Sequence, residues 1–124
     1  MALVPTRLEQ THPELAARGA ALPPDERVGA AHRLAVEAAN RTGLTLPPSG
    51  TDLAAWAQEL DDRGWSQDAD GTWEQAPDDF ARARAAAAVR DAGLAVERPE
   101  AATDAVYEAV TVLGDSAVRA VLRA

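Results

Sequence analysis

Two arginine–histidine pairs and one glutamate carry the clearest catalytic chemistry in this sequence. The pairs share one spacing, Arg7 to His12 and Arg27 to His32, and Glu26 directly precedes the second pair. In a cleft where they converge, a guanidinium stabilises a developing anion while an imidazole or a carboxylate moves a proton. The candidate catalytic residues are therefore Arg27, His32 and Glu26. Because side chains at this spacing diverge on a helix, a core or interface histidine is the alternative interpretation of His32.

The aromatic residues are candidates for binding a substrate. Trp65 and Trp73 enclose an aspartate-rich stretch in the segment GWSQDADGTWEQ, residues 64–75. Large rings of this kind form walls against which an amphipathic peptide can lie. The candidate substrate-binding residues are Trp56, Trp65, Trp73 and Tyr107.

The aspartates of the same segment first suggest a calcium loop. Aligning Gly71 with the invariant glycine of an EF-hand puts Pro77 where the bidentate glutamate is required. The dipeptide Asp70–Gly71 instead favours the positive φ angles of a tight turn, which would let Trp65 and Trp73 pair across two short strands. We therefore predict a hairpin here and no metal site.

Proline, glycine and small polar residues separate segments of helical period, and these segments must position the candidates. We predict a compact all-α bundle of five or six short helices with one small β-hairpin near residues 65–74, in a single domain over residues 1–124. The predicted helices begin near Pro13, Pro24, Asp52, Pro77, Glu100 and Asp115. Thr51 is the expected cap of the third, and Gly43 the end of the second.

The helical period also predicts which side chains face the core. On the second helix the apolar arc holds Val28, Ala31, Leu34, Ala35, Ala38 and Ala39, with His32 inside that arc and Arg27 on its edge. On the third helix the predicted buried stripe is Leu53, Trp56, Ala57 and Leu60. Asp61, Arg84 and their charged neighbours are interpreted as helix-end charges on solvated faces.

The composition limits the kinds of partner and the cellular compartment that we expect for this protein. The chain has 124 residues, no cysteine and a formal charge of -8, and it shows neither a signal peptide nor a membrane-spanning run. These features favour a cytoplasmic protein that binds neither nucleic acid nor membrane and prefers cationic partners. Because alanine-lined faces bury little apolar area each, a homodimer is the hypothesis for completing the core.

Three segments carry a family resemblance: RLEQTHPELAARGAALPPDERV, RLAVEAANRTGLTLPPSGTDLAAWA and DDFARARAAAAV. Together they resemble the small proteins encoded beside cinnamycin- and duramycin-type lanthipeptides, which close the lysinoalanine bridge of the peptide. The resemblance implies a small, helical, dimeric enzyme without a cofactor, acting on a precursor peptide that already carries thioether rings. It also implies addition of a substrate lysine amine to dehydroalanine, in which a hydroxylated aspartate of the substrate helps as base and the protein mainly positions the peptide. It assigns no residue of this chain a role.

Two further functions remain open. The negative charge without a catalytic motif suits an acidic immunity or antitoxin-like protein that masks a basic toxin without doing chemistry. The two arginine–histidine spacings resemble the core motif of the HEPN ribonucleases, in which arginine and histidine cleave RNA at a helical dimer interface. Those enzymes usually have a polar residue directly after the arginine, and this chain has Val28 at that position.

Overall fold

The computed structural model describes residues 5–123, in which seven helices and one two-stranded antiparallel hairpin occur. The all-α fold with one small hairpin is confirmed. Among these residues no helix is both long enough and apolar enough to cross a bilayer. The elements are α1 (Arg7–Thr11), α2 (Pro13–Ala21), α3 (Pro24–Thr42), α4 (Leu53–Asp61), β1 (Trp65–Gln67), β2 (Trp73–Gln75), α5 (Pro77–Leu94), α6 (Ala101–Leu113) and α7 (Asp115–Arg123).

Helix α1 is the element that the sequence prediction lacked. Its first turn is closed by a capping box, in which Glu9 N donates to Thr6 Oγ1 at 3.1 Å and Thr6 N donates to Glu9 Oε1 at 3.2 Å. This reciprocal pattern satisfies two backbone N–H groups and fixes the start of even a very short helix. The spacing of Thr6 and Glu9 was the available signal for it.

The other helix ends follow local chemistry. Prolines occupy the first turns of α2, α3 and α5, and Gly43 ends α3 with a φ of 71°. The expected cap of α4 was one residue off. Asp52 Oδ1 accepts from Ala55 N at 3.1 Å, whereas the Thr51 hydroxyl donates to Pro48 O at 2.6 Å.

The centre of the core lies where α3, α5 and α6 pack against one another, with α4 on α5 and with α1, α2 and α7 covering the remaining faces. Its helix surfaces carry small side chains, so the helix axes approach closely and each residue contributes little apolar area. The largest wholly buried apolar side chains are Leu15, Leu34 and Val118. The central buried alanines are Ala35, Ala38, Ala85, Ala88, Ala102, Ala105 and Ala109.

The predicted core face of α3 is confirmed in its main part, since Ala31, Leu34, Ala35 and the two alanines of the next turn are buried. The placement of His32 within that face is wrong, because its side chain is exposed. Successive helical side chains turn by about 100°, and the stripe centres on Ala31 and Ala35. His32 therefore falls beyond its edge and is not a core histidine.

The hairpin forms where predicted, but its register differs from the direct pairing of the two tryptophans. Trp65 lies opposite Gln75, and Gln67 lies opposite Trp73. The tryptophans are thus diagonal neighbours on the same face of the hairpin. Gly71, with a φ of 83°, closes the turn. The turn is wider than a two-residue one, and this extra length sets the register.

We expect overpacking to reveal how tightly the alanine surfaces fit. Ala109→Leu, at a wholly buried position of α6, should lower the free energy of unfolding by about 1–3 kcal/mol, because a larger side chain forces the helices apart. Ala54→Leu, at an exposed position of α4, should change it by less than about 0.5 kcal/mol. Urea denaturation measures both. Equal effects would contradict a close-packed interface at Ala109.

Candidate functional site

The three predicted catalytic residues all lie on the first turns of α3 and point away from one another. Arg27 turns back toward α2, where its Nη2 donates to Ala20 O at 3.1 Å and to Leu22 O at 2.8 Å. Its guanidinium thereby holds the connection between α2 and α3. Glu26 and His32 are exposed.

Each of these residues borders a different depression of the surface. Arg27 borders a groove of about 530 Å³ whose walls come from α1, α2, α6 and α7. His32 borders a shallow depression of about 550 Å³ between α3 and α7, and Glu26 borders one of about 490 Å³ beside Leu22 and Arg33. The expected convergence of the three is wrong, because the helical turn between positions 26, 27 and 32 sends the side chains in three directions.

The candidate aromatic residues divide into two groups. Trp65 and Trp73 remain on the exposed face of the hairpin, where 48% and 61% of their surfaces are accessible. Trp65 Nε1 donates to Asp61 O at 2.7 Å, which fixes this indole against the end of α4. Trp56 instead packs against the small apolar cluster between α4 and α5, and Tyr107 lies on α6. The four residues do not form one wall.

A buried carboxylate on α6 organises a set of charged residues that the sequence prediction missed. The side chain of Glu108 is only 2% exposed, and its two oxygens accept from Arg84 Nη1 at 3.3 and 3.1 Å. Arg84 Nη2 donates to Asp61 Oδ1 at 2.6 Å. The interpretation of Asp61 and Arg84 as solvated helix-end charges was therefore wrong, because one guanidinium joins α4, α5 and α6.

Helix α1 brings a second guanidinium to the same carboxylate. Arg7 Nη2 lies 3.5 Å from Glu108 Oε1 and 4.0 Å from Asp104 Oδ1. The guanidinium carbon of Arg7 is 4.3 Å from the centre of the Tyr107 ring, a cation–π distance. About half of the Arg7 and Asp104 side chains, 53% and 50%, stays open to solvent. Arg7 and Asp104 therefore form the accessible edge of a buried ionic centre.

A third arginine completes the arrangement. Arg90 Nε donates to Asp91 Oδ1 at 3.1 Å, and Asp91 is buried on α5. We define the charge cluster as Arg7, Asp61, Arg84, Arg90, Asp91, Asp104 and Glu108. It contains four carboxylates and three guanidiniums, so it carries one net negative charge when all are ionised.

The excess negative charge affects Asp104 most clearly. Burial and the negative charge of Asp91 raise the pKa of Asp104 above its ordinary value of 3.8, against the opposing charges of Arg7 and Arg90. For Arg90, burial lowers the pKa, but the hydrogen bond and charge of Asp91 outweigh it, and the pKa lies above its ordinary value. Asp104 is thus an accessible carboxylate with increased proton affinity, next to a half-exposed guanidinium.

The sequence held one signal for this cluster. Glu108 interrupts the apolar run AVYEAV, and a charge among residues that must face the core requires a partner. The helical period does not identify the arginine that pairs with Glu108, because Arg84 and Arg7 are distant from Glu108 in sequence.

Comparisons with known proteins identify no relative of this chain. No family model, no curated protein and no solved structure matches the chain. The charge cluster and the exposed hairpin face are therefore the features on which a functional proposal depends.

Removing Arg84 should destabilise the fold strongly, because Glu108 would lose its closest partner inside the protein. We expect Arg84→Met to lower the free energy of unfolding by about 3 kcal/mol, as for other broken buried pairs. Replacing both residues, as Arg84→Met/Glu108→Met, should recover part of that loss. Urea denaturation provides the measurement.

The matched control is Arg82→Met, which removes an arginine two residues away whose 3.8 Å ion pair with Asp79 is solvent-accessible. Its effect should stay below about 1 kcal/mol. Similar losses for Arg82→Met and Arg84→Met would contradict the central position of Arg84.

The titration of Asp104 should follow from the charges that face it. NMR of the carboxyl carbon should give a midpoint above 3.8, and Arg7→Met should raise it further, because Arg7 lowers the pKa of Asp104. The folded state then holds this proton at a pH where the unfolded chain has released it. The resulting stabilisation is complete below the unfolded pKa and is lost as the pH rises through the folded pKa.

The variant Asp104→Asn checks this sign. Across the same pH window its stability relative to the unmutated protein should increase with pH, since the amide does not ionise. A relative stability that decreases with pH would mean that the pKa of Asp104 is lowered in the folded protein.

Proposed function

We propose that this protein closes the lysinoalanine bridge of a cinnamycin/duramycin-type lanthipeptide, by adding a substrate lysine amine to dehydroalanine. Two things support the proposal: the resemblance of three sequence segments to the proteins that do this, and the edge of the charge cluster. The observation that carries it is Asp104 beside Arg7, a proton acceptor and an oxyanion stabiliser side by side.

The reaction needs two proton transfers, one from the amine and one to the α-carbon, and one stabilised anion. The lysine ammonium first loses a proton, and the nitrogen lone pair then forms a C–N bond to the β-carbon of dehydroalanine. The π electrons of the alkene move onto the neighbouring carbonyl oxygen as an enolate, and the α-carbon then takes up the proton that the base removed from the ammonium. No bond to a leaving group breaks and nothing is oxidised, so the mass of the peptide is unchanged.

Asp104 is the residue that we assign to the proton. The charge cluster carries one net negative charge, and the ammonium group of a substrate lysine neutralises it. The lysine is thus held beside Asp104, the most accessible carboxylate of the cluster. Its raised pKa makes Asp104 a better proton acceptor than an ordinary aspartate. The hydroxylated aspartate that the resemblance implies in the substrate helps Asp104 as a second base.

Arg7 is the residue that we assign to the enolate. Its side chain is half-exposed, and its guanidinium is held in place by the ion pair with Glu108 and by the ring of Tyr107. A preorganised donor of this kind stabilises an oxyanion without having to reorganise during the reaction. Tyr107 thus supports Arg7, in addition to the substrate contact predicted for it.

The remaining parts of the proposal come from the sequence. The substrate is a precursor peptide that already carries thioether rings, the enzyme acts in the cytoplasm as a homodimer, and it uses no metal or organic cofactor. Holding the amine against the alkene is itself worth several kcal/mol, about 7 or more in well-oriented intramolecular reactions. Catalysis therefore needs few side chains.

One observation favours an acidic binding protein as the second candidate. Between Glu59 and Asp79 the chain has eight acidic residues and one arginine, a formal charge of -7 out of -8 for the whole. That candidate predicts tight, salt-sensitive binding to a basic protein without chemistry. For the ribonuclease alternative, both arginines of the two spacings are engaged elsewhere, Arg7 with Glu108 and Arg27 with backbone carbonyls.

The decisive test is incubation of the purified protein with the hydroxylated, ring-closed peptide. Closure consumes the dehydroalanine without changing the mass, so the product should no longer add a small thiol, as mass spectrometry detects. Asp104→Asn should slow closure by about 10²-fold or more, the usual contribution of a general base. Full thiol addition after incubation with unmutated protein would exclude the reaction.

Two further variants locate the site. Asp115→Asn changes another half-exposed aspartate that has an arginine partner, Arg119, and should leave the rate unchanged. His32→Gln tests the original prediction on α3. A rate lost in His32→Gln but retained in Asp104→Asn would move the site from the charge cluster to α3.

A further inference from the structure

The negative charge of this protein is concentrated around the hairpin. Outside residues 59–79 the acidic and basic residues nearly cancel, since that segment alone accounts for -7 of the formal charge of -8. A potential of one sign over a small surface attracts an oppositely charged partner and orients it on approach. The segment therefore differs from the rest of the surface in the partner that it favours.

The same segment exposes its two indole rings. Trp65 and Trp73 share one face of the hairpin, and among residues 5–123 they and Val96 are the most exposed of the large apolar side chains. A tryptophan contributes most to the binding free energy when a partner buries its ring, and the face of the ring attracts cations. Aromatic rings within an acidic segment present the two elements that a lysine or arginine side chain contacts best.

We infer that this hairpin surface, consisting of the face that carries Trp65 and Trp73 together with the turn carboxylates of Asp68 and Asp70, is the docking surface for a cationic segment of the peptide substrate. The positive charge of the occupant follows from the hairpin itself, whereas its identity as the substrate rests on the proposed function. Lysine or arginine side chains of the segment lie over the indoles, and the carboxylates neutralise them.

The surface is held rigid before any partner arrives. Asp68 Oδ1 accepts from the backbone N–H groups of Asp70 and Thr72, both at 2.9 Å, and so fixes the turn. Gln75 Nε2 donates to Asp61 O at 3.2 Å and to Arg63 O at 2.9 Å, which ties β2 to the end of α4. A preorganised surface loses little conformational entropy when it binds.

One residue joins the docking surface to the charge cluster. The backbone carbonyl of Asp61 accepts from Trp65 Nε1 and from Gln75, while its carboxylate accepts from Arg84. A peptide held on the hairpin face is therefore fixed relative to the elements that carry Glu108 and Arg84. This arrangement suits a long substrate whose reacting lysine lies apart from the segment that is recognised.

The test uses tryptophan fluorescence in a Trp56→Phe background, so that only Trp65 and Trp73 report. A short oligolysine is titrated in at low salt, with an oligoglutamate of the same length for comparison. Oligolysine should change the emission and oligoglutamate should not. Asp70→Asn, at the turn, should weaken binding several-fold, whereas Asp25→Asn removes the same charge from α3 and should have no effect.

The ring contribution is measured by Trp73→Ala, with Trp65 as the remaining reporter. An exposed cation–π contact corresponds to a loss in affinity of about two- to fivefold. In the closure assay the same variant should raise KM for the ring-closed peptide and leave kcat unchanged, because binding is lost and chemistry is not.

The outcomes separate the two proposals. No response to oligolysine, or an equal response of the two charge variants, overturns the docking surface. Closure that proceeds with an unchanged KM in Trp73→Ala also overturns it, while the proposed reaction stands. If no peptide is closed but oligolysine binds at the hairpin face, the proposed reaction fails and a cation-binding surface remains.

Discussion

The burial of the Glu108 carboxylate is the constraint on which much of this structure depends. A carboxylate removed from water at the centre of a helical core is stable only with a closely bonded cation, and Arg84 meets that need through both oxygens. Because Arg84 also bonds Asp61, the demand of one buried charge fixes α4 and α5 against α6. Arg7 extends the same requirement to α1.

The alanine-rich core explains why such a polar constraint matters here. Alanines let α3, α5 and α6 approach closely, but they interlock less than larger branched side chains do, so sliding of one helix along another changes few contacts. A bonded pair of ions allows one register only. The charge cluster therefore specifies the relative positions of helices that apolar contacts alone specify weakly.

Much of the fold was predictable because its signals are local. Pro24 and Gly43 marked the two ends of α3 and Pro77 the start of α5, and the helical period identified Ala31, Leu34 and Leu60 as core residues. The candidate site was not predictable in this way, because it joins residues from α1, α4, α5 and α6. His32 shows the limit of the period: one position beyond Ala31 it passes from the core into solvent, and a wide apolar arc does not resolve that step.

The charge cluster is built with arginine alone, and the chain contains neither lysine nor cysteine. A guanidinium stays protonated and has no free lone pair, so it stabilises negative charge without itself being a nucleophile. A lysine at the same position would bring an amine that can lose its proton when desolvated. The side chains of this protein thus include neither of the strong nucleophiles, amine or thiol, that would trap an electrophilic alkene placed beside them. A surface of this composition can hold such an alkene repeatedly without being alkylated through a lysine or cysteine side chain.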